Sequence, residues 1–237
     1  MRVIAGEYRG RKLVAPPGRD IRPTSDKVKE AVFSMLASFV SPAPGEAPLV
    51  GKSCLDLFAG TGALGIEALS RGAANCVFVE INPAAATALN ENLNAIVYGG
   101  STRREDSSAV ADTGSVRVVR SDWRIALRRL GGRVIDEPSR RIDIAFVDPP
   151  YGADYYDEVM KTFLDYDIIS DGGIVALERP SRGKNIREGG TRRARGGADG
   201  VNSIEAPSSA GRYEGFSLMR ERRYGKTAIE FYGRIDS

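Results

Sequence analysis

Cys54-Leu55-Asp56-Leu57-Phe58-Ala59-Gly60-Thr61-Gly62-Ala63-Leu64-Gly65 reads as an apolar strand that runs without a break into a glycine turn and then a helix. Three glycines at this spacing supply a tight turn, a close backbone approach to a ligand, and close packing of the helix on the strand. The helix reaches about Arg71, and the next apolar run, Cys76-Val77-Phe78-Val79, ends in Glu80. An acidic residue about 20 positions beyond the first glycine is placed to hold both hydroxyls of a ribose. A surface carboxylate is the plain alternative for Glu80 taken alone.

A second apolar run, Ile142-Asp143-Ile144-Ala145-Phe146-Val147, ends in Asp148-Pro149-Pro150-Tyr151. Proline has no N–H for a sheet ladder and pushes the residue before it out of the helical region, so the chain leaves the sheet as a stiff, extended loop. That loop presents a carboxylate, carbonyls and an aromatic ring. The exocyclic amine of a nucleobase is a poor nucleophile because its lone pair is delocalised into the ring. Groups that accept both of its N–H bonds favour a more tetrahedral nitrogen, and a stacked ring holds the base in line with an electrophile. Asp148 and the Pro149 carbonyl are the candidate acceptors, and Tyr151 is the candidate stacking ring. An ordinary turn with a surface tyrosine uses the same residue types.

The rest of the chain alternates in the same way. Asn82-Pro83 opens a helix striped by Leu89, Leu93 and Ile96, and Val116 to Arg120 alternates as a strand. Ser121-Asp122-Trp123 follows at a strand end, where Asp122 can receive an adenine amine or cap a helix and Trp123 can cover the ring. That helix is expected over Trp123 to Leu130, another around Tyr155 to Phe163, and a fifth strand over Gly173 to Glu178. Phe216 to Tyr224 and Lys226 to Tyr232 read as a tight antiparallel hairpin. Strands alternating with helices give an open, doubly wound sheet whose ligands lie beyond the carboxyl ends of the strands.

Upstream, two short apolar runs flank a basic bend, so Met1 to Ala15 reads as a hairpin with Arg9, Arg11, Lys12 and then Arg22 along a cationic edge. Such an edge suits phosphates, and a solvated charged face is its rival. Thr24 or Ser25 caps a helix with Val28, Val32, Met35 and Phe39 on one side, and residues 41 to 50 read as a linker. Segments 99–114 and 181–212 are polar and rich in Gly, Ser and Arg, and are expected to be flexible insertions.

With 237 residues, the chain can bury one sizeable core. A formal charge of +3 is too small to argue for a polyanionic partner by itself. There is no histidine, and Cys54 and Cys76 lack metal-ligand and redox spacing, so no metal is expected and both thiols read as buried and reduced. No stretch approaches a membrane span or opens the chain as a signal segment. A soluble, cytoplasmic protein is the expectation.

The sequence resembles the class I S-adenosylmethionine-dependent methyltransferases, and more closely the bacterial small-subunit (16S) ribosomal RNA guanine-N2 methyltransferase family. The resemblance rests on Met1 to Gly6 with Arg9-Gly10-Arg11, Arg22 to Asp26 with Glu30-Ala31-Val32-Phe33, Leu55 to Gly62, Glu67 to Ala73, Asp148-Pro149-Pro150-Tyr151 and Arg223-Tyr224-Gly225. It implies a Rossmann-like, mostly parallel seven-stranded sheet with a C-terminal antiparallel hairpin and a small N-terminal hairpin and helix extension. Residues 1–45 would then contact RNA and pack on a methyltransferase domain, residues 46–237. The resemblance also implies cofactor contacts from Asp56, Phe58, Gly60, Thr61 and Gly62 to the methionine end, from Glu80 to the ribose, and from Asp122 and Trp123 to the adenine. Asp148, Pro149 and Tyr151 would hold a flipped guanine, and Arg9, Arg11, Lys12, Arg22, Thr24 and Ser25 would meet the RNA, naked or in an assembling 30S particle. A monomer is expected.

Three other readings stay open at the level of sequence. The four-residue proline motif also serves adenine-N6 methyltransferases of RNA or DNA. The glycine spacing and Glu80 fit a nicotinamide-dependent oxidoreductase equally well, and a non-catalytic RNA-binding module would keep the same cofactor fold.

Overall fold

The computed structural model describes residues 1–16, 26–40, 49–97, 116–150, 154–181 and 213–235. Tyr151, Arg22, Thr24, Ser25 and the expected insertions at 99–114 and, beyond Ser181, to 212 lie outside them, as does most of the 41–50 linker. In chain order the elements are α1 (Asp26–Val40), β1 (Ser53–Leu57), α2 (Ala63–Ser70), β2 (Asn75–Val79), α3 (Pro83–Ile96), β3 (Val116–Val119) and α4 (Trp123–Asp136). They continue as β4 (Ile142–Val147), α5 (Tyr156–Asp165), β5 (Ile169–Pro180), β6 (Phe216–Tyr224) and β7 (Thr227–Arg234). The seven strands form one sheet in the order β3-β2-β1-β4-β5-β7-β6. β1 to β5 run parallel, and β7 lies antiparallel between β5 and β6.

Alternation along the strands divides the core in two. Cys54, Ile144, Phe146, Ile174, Ala176, Ile229 and Phe231 face α1, α2 and α3, whereas Leu55, Ala145, Val147, Val175, Leu177 and Tyr232 face α4 and α5. Successive side chains of a strand point to opposite faces; the crossovers through α2 and α3 cover one face and those through α4 and α5 the other, as the chain winds outward from β1 in both directions. On the first face α1 fills the half of the sheet that α2 and α3 leave uncovered. Phe33 packs on Phe146 with ring centroids 5.5 Å apart, and Phe39 on Phe231 at 5.6 Å.

Two elements run longer than the sequence pattern predicts. α4 continues through Gly131 and Gly132, which read as a loop, because Gly131 lies against the Tyr166 side chain, where an added Cβ would sit 2.5 Å from its Cβ. β5 begins at Ile169, four residues before its expected start, across an irregularity in its pairing with β4 between Ile142 and Ile144.

The N-terminal hairpin is reduced to one antiparallel bridge, Arg2 with Lys12, supported by the Val3 N–H donating to the Arg11 carbonyl (2.9 Å). Its hold on the domain is polar and buried. Glu67 of α2 accepts from the Ile4 N–H (2.7 Å), the Ala5 N–H (3.0 Å) and Arg71 Nε (2.8 Å). Lys29 of α1, fully buried, stands 3.7 Å from the same carboxylate and donates to the Arg2 carbonyl. Nearby, Ser70 Oγ donates to the Ala5 carbonyl (2.6 Å) and accepts from the Tyr8 N–H (2.9 Å). Gly6, at φ +80°, fits only as glycine, since a Cβ there would lie 1.7 Å from the Ser70 carbonyl oxygen.

Candidate active site

The strand order reverses between β1 and β4, and in such sheets the ligand crevice opens at the carboxyl ends of the strands that diverge. On β1, Asp56 is buried and accepts from the Gly65 N–H at 2.8 Å. Burial pushes its carboxyl up to about 7, the Gly65 bond opposing and the Glu80 charge adding to the rise. Glu80, at the end of β2, accepts from the Gly60 N–H (2.7 Å) and the Asn82 N–H (2.6 Å), so it spans from the glycine turn to the start of α3.

The three glycines divide the work. Gly62, at φ +81°, and Gly65 are packed, since an added Cβ would lie 2.4 Å from Leu89 Cδ1 or 2.2 Å from the Phe78 ring. Gly60, at φ +56°, faces open space, with nothing within 4 Å of such a Cβ. A buried carboxyl beneath an open backbone turn, with a second carboxylate on the next strand, fits a ligand that carries a cationic amine and a vicinal diol. Thr61 is buried, and its carbonyl accepts from Asn92 Nδ2 (3.0 Å).

Asp122 caps α4, accepting from the Arg124 N–H at 2.8 Å, so the capping role weighed from sequence is present. Trp123 opens α4. It is buried between Phe58 (6.2 Å) and Tyr155 (5.8 Å), with the Arg124 guanidinium 4.5 Å over its ring. Phe58 is half-buried, stacks on Tyr155 at 6.1 Å, and holds the left-handed φ of +68°, a strained conformation for an aromatic residue at the strand end.

Asp148 lies at the end of β4, and Pro149 behind it is buried. Burial drives the Asp148 carboxyl well above the ordinary carboxylate range, and the charges of Glu178 and Asp56 push the same way. Glu178 stands at the equivalent point of β5, and its sequence signal, an acidic residue late in an apolar strand, is the same as that of Glu80. Tyr155, which the sequence places in a helix stripe, stacks on Phe58 at this edge. Opposite this edge, a cavity of about 420 Å³ opens among Ser53, Cys76, Arg117 and Arg133, apart from all these groups.

The basic bend lies against the end of α3. Arg11 donates to the Ile96 carbonyl (2.8 Å) and the Ala95 carbonyl (3.3 Å), satisfying the last turn of α3, and lies over the Tyr8 ring. α3 runs antiparallel to the strands, so this bend lies toward their amino ends, away from Asp148. Arg9 and Lys12 are exposed. From there the chain turns back toward the site, where Asn92 accepts from the Val14 N–H (2.7 Å) and donates to the Val14 carbonyl (3.0 Å).

Among the described residues, no group of three or more acidic or cysteine side chains is placed to hold a metal, and no helix is long and apolar enough to cross a membrane.

The chain is similar to known proteins. A family model described as conserved hypothetical protein 95 matches residues 1–203. Ribosomal RNA small subunit methyltransferase D of Escherichia coli is 34% identical over 75% of this chain and 74% of its own length. YlbH of Bacillus subtilis is 29% identical over 98% of both. The solved structure of Escherichia coli yhhF is 28% identical, with 100% of this chain and 99% of that one covered at a TM-score of 0.64. The glycine turn, the acidic strand ends and the proline motif of this chain all lie within the stretch that the family model matches, and the chain belongs to the ribosomal RNA small subunit methyltransferase D family.

Proposed function

We propose that this S-adenosylmethionine-dependent rRNA methyltransferase modifies the exocyclic N2 of a guanine in small-subunit ribosomal RNA. The observation that carries the reading is Asp148-Pro149 at the end of β4, beside the β1 turn, with Asp148 half-buried and Pro149 buried. When bound, the cofactor supplies an electrophilic sulfonium methyl group. Asp56 answers its amino group beneath the Gly60 to Gly62 turn, Glu80 its ribose, and Asp122 its adenine; Phe58 and Thr61 shape the turn.

Asp148 and the Pro149 carbonyl accept the two N–H bonds of the amine, and Tyr151 stacks on the base. Holding both hydrogens fixes the lone pair toward the methyl carbon. The Asp148 carboxyl also receives the proton that the methylated nitrogen sheds. A base paired in a helix is out of reach of such a site, so the guanine is flipped or unpaired. In this reading Arg9 and Lys12, with Arg22, Thr24 and Ser25, meet phosphates; Arg11 holds the bend. Residues 1–45 serve packing and RNA contact, and residues 46–237 the transfer. The protein acts as a cytoplasmic monomer.

Radiolabelled methyl donor, presented with naked small-subunit RNA, assembled small subunits and duplex DNA, tests this. N2-methylguanosine from either ribosomal substrate is the expected product, and the preferred substrate shows whether assembly matters. N6-methyladenine would overturn the base assignment and favour the adenine reading that the same proline motif allows.

The state of Asp56 makes a separate prediction. Its carboxyl is held near 7 by burial, and a bound ammonium group favours the ionised form. Cofactor binding is therefore expected to release a proton around pH 6, and affinity to rise as pH increases from 6 to 8. Calorimetry in buffers of different ionisation enthalpy measures this. Proton release should vanish in Asp56→Asn, and its persistence there would remove Asp56 from the cofactor site.

A further inference from the structure

Asp148 and Glu178 are neighbours by register. β4 and β5 are parallel with Val147 opposite Leu177, so the next residues, Asp148 and Glu178, stand side by side on adjacent strands. Alternation gives both side chains the same face, because Phe146 and Ala176 lie in the core under α1. Adjacent strands lie about 4.8 Å apart, within reach of a shared hydrogen bond between carboxyl groups. Glu178 Oε2 is buried, with no hydrogen-bond partner among the described residues. An ionised carboxylate oxygen left in that state is costly, and a proton held between two carboxyls removes the cost.

We propose that Glu178 is a positioning residue of the methyl-transfer site, sharing one proton with Asp148 so that a single negative charge, held in place by that hydrogen bond, faces the exocyclic amine. This rests on the reading of Asp148 as the group that meets the amine. In the transfer, the N2–C bond forms as the C–S bond breaks, its electron pair staying on sulfur. The methylated nitrogen passes one proton to the carboxyl pair, which hands it on to water. Burial lifts both carboxyls above their ordinary values.

Other ionisable groups around the pair do not replace this proton. Asp56 on β1 adds negative charge. The Tyr156 hydroxyl of α5 donates to the Glu178 backbone carbonyl (3.0 Å), with Asp154 just before that helix. Arg179 faces the opposite side of β5 and pairs with Glu230 of β7 at 3.1 Å. On the face of the pair, Asp26 and Lys29 of α1 and Glu67 and Arg71 of α2 form their own network.

The test compares kcat against pH for the wild type, Glu178→Gln and Glu178→Ala on the ribosomal substrate. In the wild type kcat should fall on the alkaline side, as loss of the shared proton frees Asp148 from its partner. A glutamine amide donates at every pH, so Glu178→Gln should keep kcat and lose that fall. Glu178→Ala should lower kcat by about 10- to 100-fold, the worth of one hydrogen bond to a charged group, with the KM for the methyl donor within about twofold of wild type. An unchanged alkaline limb in Glu178→Gln, with Asp148→Ala inactive, overturns the pairing and leaves the role of Asp148 intact. Full activity in Asp148→Ala overturns the underlying reading instead. Should neither Glu178 variant fold, a carboxyl-carbon NMR titration of the wild type decides. Two linked steps, one far above the ordinary range, support the shared proton, and two independent ordinary steps refute it.

Discussion

Asp148→Ala is expected to lower turnover by about 10²-fold or more while leaving cofactor affinity within about twofold. The carboxyl sits beyond the strand end rather than in the glycine turn, so its loss removes an acceptor that matters as the amine pyramidalises, not a contact that holds the donor. Single-turnover methylation with saturating cofactor, beside a direct cofactor titration, separates the two effects. Unchanged turnover would strike Asp148 from the mechanism. The same residue burdens the fold. Its folded carboxyl titrates above the unfolded one, so the folded state binds the extra proton, and stability present at low pH is lost as pH rises through the folded value. Asp148→Asn should therefore melt at a higher temperature than the wild type at pH 8, with the difference vanishing below about pH 4, where both states are protonated.

Glu67→Ala is expected to cost about 3–5 kcal/mol of stability, because it leaves the Lys29 ammonium buried without its main counter-charge and two backbone N–H groups without an acceptor. For a domain of this size that is a fall in melting temperature of roughly 6–20 °C. Burial already lowers the Lys29 pKa, and Glu67 is the largest influence holding it up. The double variant Lys29→Met with Glu67→Leu removes both charges at once and should cost less than the sum of the single changes. Denaturant unfolding of the four proteins checks this, and strict additivity would show that the two residues are not coupled.

These two sites differ in how far the sequence discloses them. Asp148 and Glu80 end apolar runs and so declare their position at the mouth of a sheet, where little but a ligand calls for a carboxylate. The doubly wound, mostly parallel sheet follows from the alternation of periods, and the packing of Gly65 on Phe78 is the contact that its spacing implies. Glu67 and Lys29 look like the solvated residues of amphipathic helices. Their burial depends on a segment more than 60 positions away in sequence, in the case of Ile4 and Glu67, and no local pattern reports that. The contact of Arg11 with the end of α3 is illegible for the same reason, since a basic residue beside a tyrosine looks identical whether it faces a phosphate or the end of a helix. Trp123 carries two signals at once. Its place after a strand end suits a base-covering ring, but the same position opens α4, whose apolar side turns the indole inward.

The sheet is also closed out of sequence order. β7, the last of the seven strands along the chain, lies between β5 and β6, and β5 is long, with seven residues paired to β7. During synthesis β5 therefore emerges as an unpaired edge and stays one until β7 has left the ribosome. An open, apolar edge invites pairing with other chains. The interval between translating Pro180 and Arg234 is thus the chain's most aggregation-prone moment, and slowing translation there should lower the yield of folded protein more than slowing it earlier.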